Sequence, residues 1–149
     1  MLNRRKFLGL GLGAIAVAST SNLGAEDFRK SKPKAWTATK VDEAIKEVFG
    51  KTAAVESNIT LSAPDIAENG AVIPISFKTD LKATKIAVFQ DANPEATVAV
   101  YTITPNMVLD YAFRIKMQQT GDVIIIAEAN GQLYKAVKNV KVTIGGCGG

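Results

Sequence analysis

Residues 122–138 read DVIIIAEANGQLYKAVK, and this stretch decides the fold class. Asn130-Gly131 is a dipeptide favoured in type I′ turns, where both central residues need positive φ. The runs on either side have strand length, so 122–129 and 132–138 are expected to form a hairpin. Val123 to Ala127 is apolar without alternation, the pattern of a strand covered on both faces. A following stretch, Val140 to Ile144, alternates and is expected as one more strand, running directly into Gly145.

Upstream of the hairpin the chain keeps the same rhythm. Strands are expected at 58–62, 71–78, 85–89, 97–104 and 108–116, separated by turn-forming residues such as Asp91-Ala92-Asn93-Pro94 and Pro105-Asn106. In the second of these, Ile73, Ile75 and Phe77 oppose Val72 and Pro74. Pro74 has no N–H for a ladder, so it belongs at an edge or a bulge. Residues 63–70, with Pro64 and Asn69-Gly70, read as a connection. Before all of these, Val41, Ala44, Ile45, Val48 and Phe49 have helical spacing. A helix is expected over 40–49, with Thr39 as N-cap, Asp42 in its first turn and Gly50 as terminator. Trp36 should pack where that helix meets the body. About eight short strands at this spacing predict an all-β protein: an immunoglobulin-like β-sandwich with one N-terminal helix and a flexible C-terminal arm. A closed barrel is the rival architecture.

The N-terminus has a different character. Asn3-Arg4-Arg5-Lys6-Phe7-Leu8 precedes a small, apolar run from Gly9 to Ala18, which is too short to span a bilayer. Residues 1–25 therefore read as an export signal with its cleavage site near Leu23-Gly24-Ala25. The paired arginines resemble the twin-arginine type, with Asn3 where Ser or Thr is usual. Residues 26–38, charged and containing Pro33, are expected as a linker, leaving 39–144 as the domain and 145–149 as an arm. The net charge of +4 owes most of its excess to Arg4, Arg5 and Lys6. Without them the basic residues nearly balance the acidic ones, and no basic stripe of the kind nucleic-acid binding needs is evident.

Absences narrow the chemistry. The chain has no histidine and a single cysteine, Cys147. Histidine-based nucleophilic sites, histidine or multi-thiolate metal sites and CxxC redox motifs are therefore excluded within one chain. No phosphate loop or dinucleotide fingerprint occurs. No resident metal or cofactor is expected, and no catalytic residues. The thiol remains. Cys147 stands between Gly145-Gly146 and Gly148-Gly149, third from the end of the sequence, where spacing excludes prenylation. Glycine padding predicts a thin, mobile tail that can carry the thiol roughly 10 Å beyond Ile144 and into a narrow pocket of another protein. No base or cation in the neighbouring sequence lowers the thiol pKa, so Cys147 suits carriage better than catalysis. In an oxidising compartment, an odd cysteine points to intermolecular chemistry.

Taken with Val41-Asp42-Glu43-Ala44-Ile45, the segment from Ala63 to Pro74 and the double-arginine start, the Gly-Gly-Cys-Gly-Gly terminus resembles the SoxY family of sulfur carriers. The resemblance implies an immunoglobulin-like domain in the periplasm that pairs with a small β-protein, SoxZ. It also implies that Cys147 bears thiosulfate-derived sulfur. Partner enzymes with haem, dimanganese and molybdenum centres would conjugate, hydrolyse and oxidise that sulfur, and this chain would be a non-catalytic carrier subunit. Two other readings are compatible with the residues: an interaction domain whose lone cysteine makes an interchain disulfide, and a ubiquitin-like carrier using the Gly148-Gly149 terminus. Export away from ATP and the β-rich, longer chain weigh against the second.

Overall fold

The computed structural model describes residues 26–145. The export-signal reading of 1–25 and the placement of Gly146, Cys147, Gly148 and Gly149 lie outside the described residues.

The hairpin forms as expected. β8 (Gly121–Ala129) and β9 (Gln132–Val142) pair antiparallel, with Ala129 opposite Gln132 and Gly121 opposite Val140. Asn130 and Gly131 take φ of 51° and 73°, as the turn requires. Around this pair a six-stranded sheet runs in the order β1-β9-β8-β5-β6, using β1 (Ala54–Glu56), β5 (Lys85–Gln90) and β6 (Thr97–Thr102). The sixth strand, β3 (Ile66–Ala67), joins β9 in parallel at its far end, while β1 joins it in parallel at the start. A three-stranded sheet, β2-β4-β7, faces the larger one and consists of β2 (Thr60–Ser62), β4 (Ile73–Lys78) and β7 (Asp110–Ile115). The two sheets are separate, so the described chain is a sandwich and not a barrel.

Alternation sorts the side chains into two cores. Ile86 and Val88 of β5 and Val123, Ile125 and Ala127 of β8 point between the sheets, where they meet Ile73, Ile75, Phe77, Ile115 and Met117. Their neighbours Ala87, Phe89 and Ile126 point the other way, into a second core beneath helices. The unbroken apolar run at 123–127 thus follows from burial on both sides. In β4, Ile73, Ile75 and Phe77 are buried and Pro74 is exposed. Pro74 pairs with Arg114 of β7 but lies beyond the three residues that pair with β2, so one side of it is locally an edge.

The helix α3 (Val41–Phe49) turns Ala44, Ile45 and Val48 onto the larger sheet, and Gly50 ends it in the left-handed region at φ 76°. The expected cap is corrected: Lys40 occupies the N-cap without a side-chain bond, leaving Asp42 and Glu43 to meet the positive helix end. The linker expected over 26–38 is also corrected, because it is ordered and helical. α1 (Phe28–Ser31) is capped by Asp27, and α2 (Pro33–Thr37) starts on Pro33, a residue suited to a first turn. Phe28, Ala35 and Ala38 are buried. Thr97 Oγ1 donates to the Ala35 carbonyl at 2.6 Å, and the Ala96 amide donates to the Ala38 carbonyl at 2.9 Å. The charged side chains of this segment lie outside while Phe28, Ala35 and Ala38 do the docking. Trp36 packs against the helical core as expected, with Arg29 over its ring at 4.3 Å.

Phe77 is 1% exposed at the centre of the inter-sheet core. Phe77→Ala is expected to cost about 3–5 kcal/mol, measurable as a lowered urea midpoint.

Candidate functional site

β9 ends just short of the arm expected over 145–149, and the local geometry there follows from an overhang. β8 stops pairing at Gly121 opposite Val140, so β9 and the residues after it run on without that neighbour. Their backbone groups need other partners. The Val142 amide donates to Thr120 Oγ1 at 2.9 Å on one side. On the other side, the Lys141 amide donates to the Asp65 carbonyl at 3.0 Å and the Thr143 amide to the Ala67 carbonyl at 3.1 Å. Thr143 Oγ1 donates to the Glu68 carbonyl at 3.2 Å. The Gly70 amide then donates to the Ile144 carbonyl at 2.8 Å, and the Gly70 carbonyl accepts from Met117 N–H at 2.8 Å. The stretch 65–70, expected as a bare connection, therefore clasps the root of the arm. A short Asn-Gly-containing stretch that follows a proline gives no strand period, so nothing local in the sequence marked this role.

An ion pair reinforces the clasp. Lys138 binds the Asp65 carboxylate, and the hydrogen bond and charge of its ammonium hold that carboxyl below the usual carboxylate range. Asp65 is fully solvated, so the pair orients more than it stabilises.

Of the arm residues, Gly145 is described. A Cβ there would overlap the Gln118 carbonyl oxygen, so close backbone approach requires glycine at this position. Gln118 is itself fixed. Its amide donates to Asn93 Oδ1 at 2.9 Å, and Asn93 Nδ2 donates to the Lys116 carbonyl at 2.8 Å. Behind Asn93 stands Gln90, 1% exposed, whose Oε1 accepts from the Ala92 and Asn93 amides at 2.7 Å each and whose Nε2 donates to the Glu95 carbonyl at 2.7 Å. A buried amide side chain paired at both its oxygen and its nitrogen makes a rigid turn. Gln90, Asn93 and Gln118 thus connect the core to the start of the arm. Sequence reasoning missed all three, since amide residues in turns carry no distinctive pattern.

Among the described residues no cluster of His, Cys, Asp or Glu is arranged to hold a metal ion, and no helix is long and apolar enough to cross a membrane. The geometry supplies an anchored root for the sequence that follows it.

Residues 45–147 match the family model for sulfur oxidation protein SoxY, so the match extends to Cys147. The structure of the sulfur carrier protein SoxY from Chlorobium limicola f thiosulfatophilum is similar, at 40% identity and a TM-score of 0.65, covering 73% of this chain and 96% of that one. A superoxide reductase (neelaredoxin) from Ignicoccus hospitalis superposes with a TM-score of 0.51 at 17% identity, covering 58% of this chain and 80% of its own. At that identity the likeness shows the fold alone. Among curated proteins none matches significantly.

Two measurements check the root. Gly145→Ala is expected to weaken the clasp by about 1–3 kcal/mol, read as faster hydrogen exchange at the Gly70 amide. For Asp65 the lowered folded-state pKa means that its contribution is complete above the unfolded value and lost as pH falls through the folded one. Exchange at the Lys141 amide should therefore show an acid step beyond intrinsic exchange, and Asp65→Asn should remove that step.

Proposed function

Because the chain belongs to the sulfur oxidation protein SoxY family, a sulfur carrier of thiosulfate oxidation, we propose that Cys147 is the residue that carries the sulfur and that Gly145, Gly146, Gly148 and Gly149 form its arm. The observation that carries this reading is the extent of the family match, which reaches the only cysteine in the sequence.

The chemistry follows from a thiol without an activating neighbour in sequence. The Cys147 thiolate joins the outer sulfur of thiosulfate, giving a thiosulfonate, R–S–S–SO3⁻. Two electrons leave in forming that S–S bond and pass to a haem-bearing partner enzyme. Water then cleaves the bond between sulfane sulfur and sulfonate on a hydrolase partner, releasing sulfate and two protons and leaving the persulfide R–S–S⁻. A dehydrogenase partner oxidises the remaining sulfane sulfur. Each active site activates its own reaction, and the carrier contributes the covalent handle. Its lack of histidine fits a non-catalytic subunit, since unwanted hydrolysis of the adduct needs a general base.

The reading includes export to the periplasm on residues 1–25, by the twin-arginine route, and pairing with a SoxZ-type β-protein. β6 and β7 support a pairing surface. Each is the last strand of its sheet on one side of the sandwich, and Tyr101 and Tyr111 stack across them at 5.6 Å. A partner strand there would add to an open ladder. Burial, and secondly the nearby Tyr111, raises the Tyr101 pKa, so this phenol stays neutral beside such a partner at physiological pH.

Intact mass after incubation with thiosulfate and the conjugating enzyme tests the carrier role. The mature chain is expected to gain the thiosulfate-derived adduct, and Cys147→Ser to gain none. Retention of the adduct by Cys147→Ser would overturn the assignment. Full thiosulfate oxidation by a Cys147→Ala strain would favour an interaction domain instead. Co-expressed with its SoxZ-type partner, the chain should elute as a heterodimer at micromolar concentration.

A further inference from the structure

Tyr101 of β6 and Tyr111 of β7 stack across one side of the sandwich, with ring centroids 5.6 Å apart and planes 17° from parallel. β6 belongs to the larger sheet and β7 to the smaller. Each is the last strand of its sheet among the described residues, so the two rings touch where no ladder joins the sheets. Both rings are held from behind. Tyr111 stands opposite Phe77 across β4 and β7, with centroids 5.4 Å apart, and Tyr101 stands opposite Ile86 across β5 and β6. Phe77 and Ile86 are buried, whereas the two tyrosines are half-buried and keep part of each ring open to small molecules. The third tyrosine, Tyr134 on β9, joins no ring pair among the described residues.

Offset-stacked rings at this separation touch along their facing edges, with carbons about 3.5–4 Å apart. A phenol gives up one electron and its proton to a strong oxidant and becomes a phenoxyl radical. Two such radicals held in contact couple before either meets a radical on another chain, because proximity replaces a bimolecular encounter.

We propose that Tyr101 and Tyr111 are an oxidative cross-linking site, at which a one-electron oxidant such as a high-valent haem centre joins them as dityrosine and closes this side of the sandwich. Each phenol loses an electron to the oxidant and a proton to water. The two radicals form one carbon–carbon bond between positions ortho to their oxygens. The ring hydrogens at those positions then pass to the oxygens, which restores both phenols. The net change is the loss of two hydrogen atoms. The new bond ties β6 to β7 and sets a covalent bridge where an incoming strand would extend either ladder. Resting on the pairing reading, the bridged chain no longer takes up its small β-protein partner.

The test uses the full mature chain with Cys147 first alkylated by iodoacetamide. Ruthenium(III), generated by light from tris(bipyridyl)ruthenium(II) with persulfate as electron acceptor, is the oxidant. Between Lys85 and Lys116 trypsin meets only Arg114, so both tyrosines fall in one peptide, residues 86–114. That peptide is expected to lose two hydrogen atoms, to show dityrosine fluorescence and to give no fragments from backbone cleavage between 101 and 111, in a chain that stays monomeric. Oxygen gain at Met107 in the same peptide is distinguished by mass. Tyr101→Phe and Tyr111→Phe should each abolish the hydrogen loss, and Tyr134→Phe should keep it. Hydrogen loss that persists in Tyr101→Phe, or dityrosine found only between chains, would overturn the site.

Size-exclusion chromatography with the β-protein partner reads the closure. The unoxidised chain and the oxidised Tyr101→Phe chain should elute as heterodimers, and the cross-linked chain should elute alone. A cross-linked chain that still pairs would overturn the closure and leave the cross-link standing. An unoxidised chain that does not pair would overturn the pairing reading, and the closure with it, but not the cross-link.

Discussion

The overhang of β9 past the start of β8 is the constraint on which the C-terminal end of the described chain depends. A strand that outruns its neighbour exposes amides and carbonyls that must be paired or solvated. Here they are paired from both sides, by Thr120 on one and by the stretch from Asp65 to Gly70 on the other. Gly70 serves two segments at once, giving its N–H to Ile144 and its carbonyl to Met117. The root of the arm, the end of β7 and the connection after β2 are thereby joined at one residue. The hydrogen bonds reach Ile144 and the close approach of Gly145 to Gln118 follows directly, so the described chain is held to its last residue.

Much of the fold was legible because it is written in local period. The Asn-Gly turn, the alternation around Phe77 and the stripe on α3 are each determined by neighbours a few residues apart, and the structure contains all three. What escaped depends on distant partners. β1 and β3 are three and two residues long and pair in parallel with β9, so no short-range pattern announces them. The division expected at Asn139 is absent for the same reason, because flanking strands on both edges let β9 continue to Val142. Residues 26–38 look like a linker by charge, yet Ala35 and Ala38 are small enough to lie flat against β6.

The candidate site divides in the same way. Cys147 and its glycines stand out by composition, and the lack of any second cysteine or histidine concentrates attention on them. Gly145 could be read only as a source of flexibility, since a sequence does not reveal that a carbonyl will lie where its Cβ would be. The supports behind it, Gln90 and Asn93, are amides whose significance comes from burial and pairing.

The double-sided clasp on β9 also has a mechanical meaning. A pull on the chain beyond Gly145 would act along the axis of this strand. Force in that direction loads the hydrogen bonds to β8, β1 and β3 in shear, all together, instead of peeling them open one at a time. A sulfur carrier anchored in this way would keep its fold under such a pull. The post from which the terminal residues leave is set firmly.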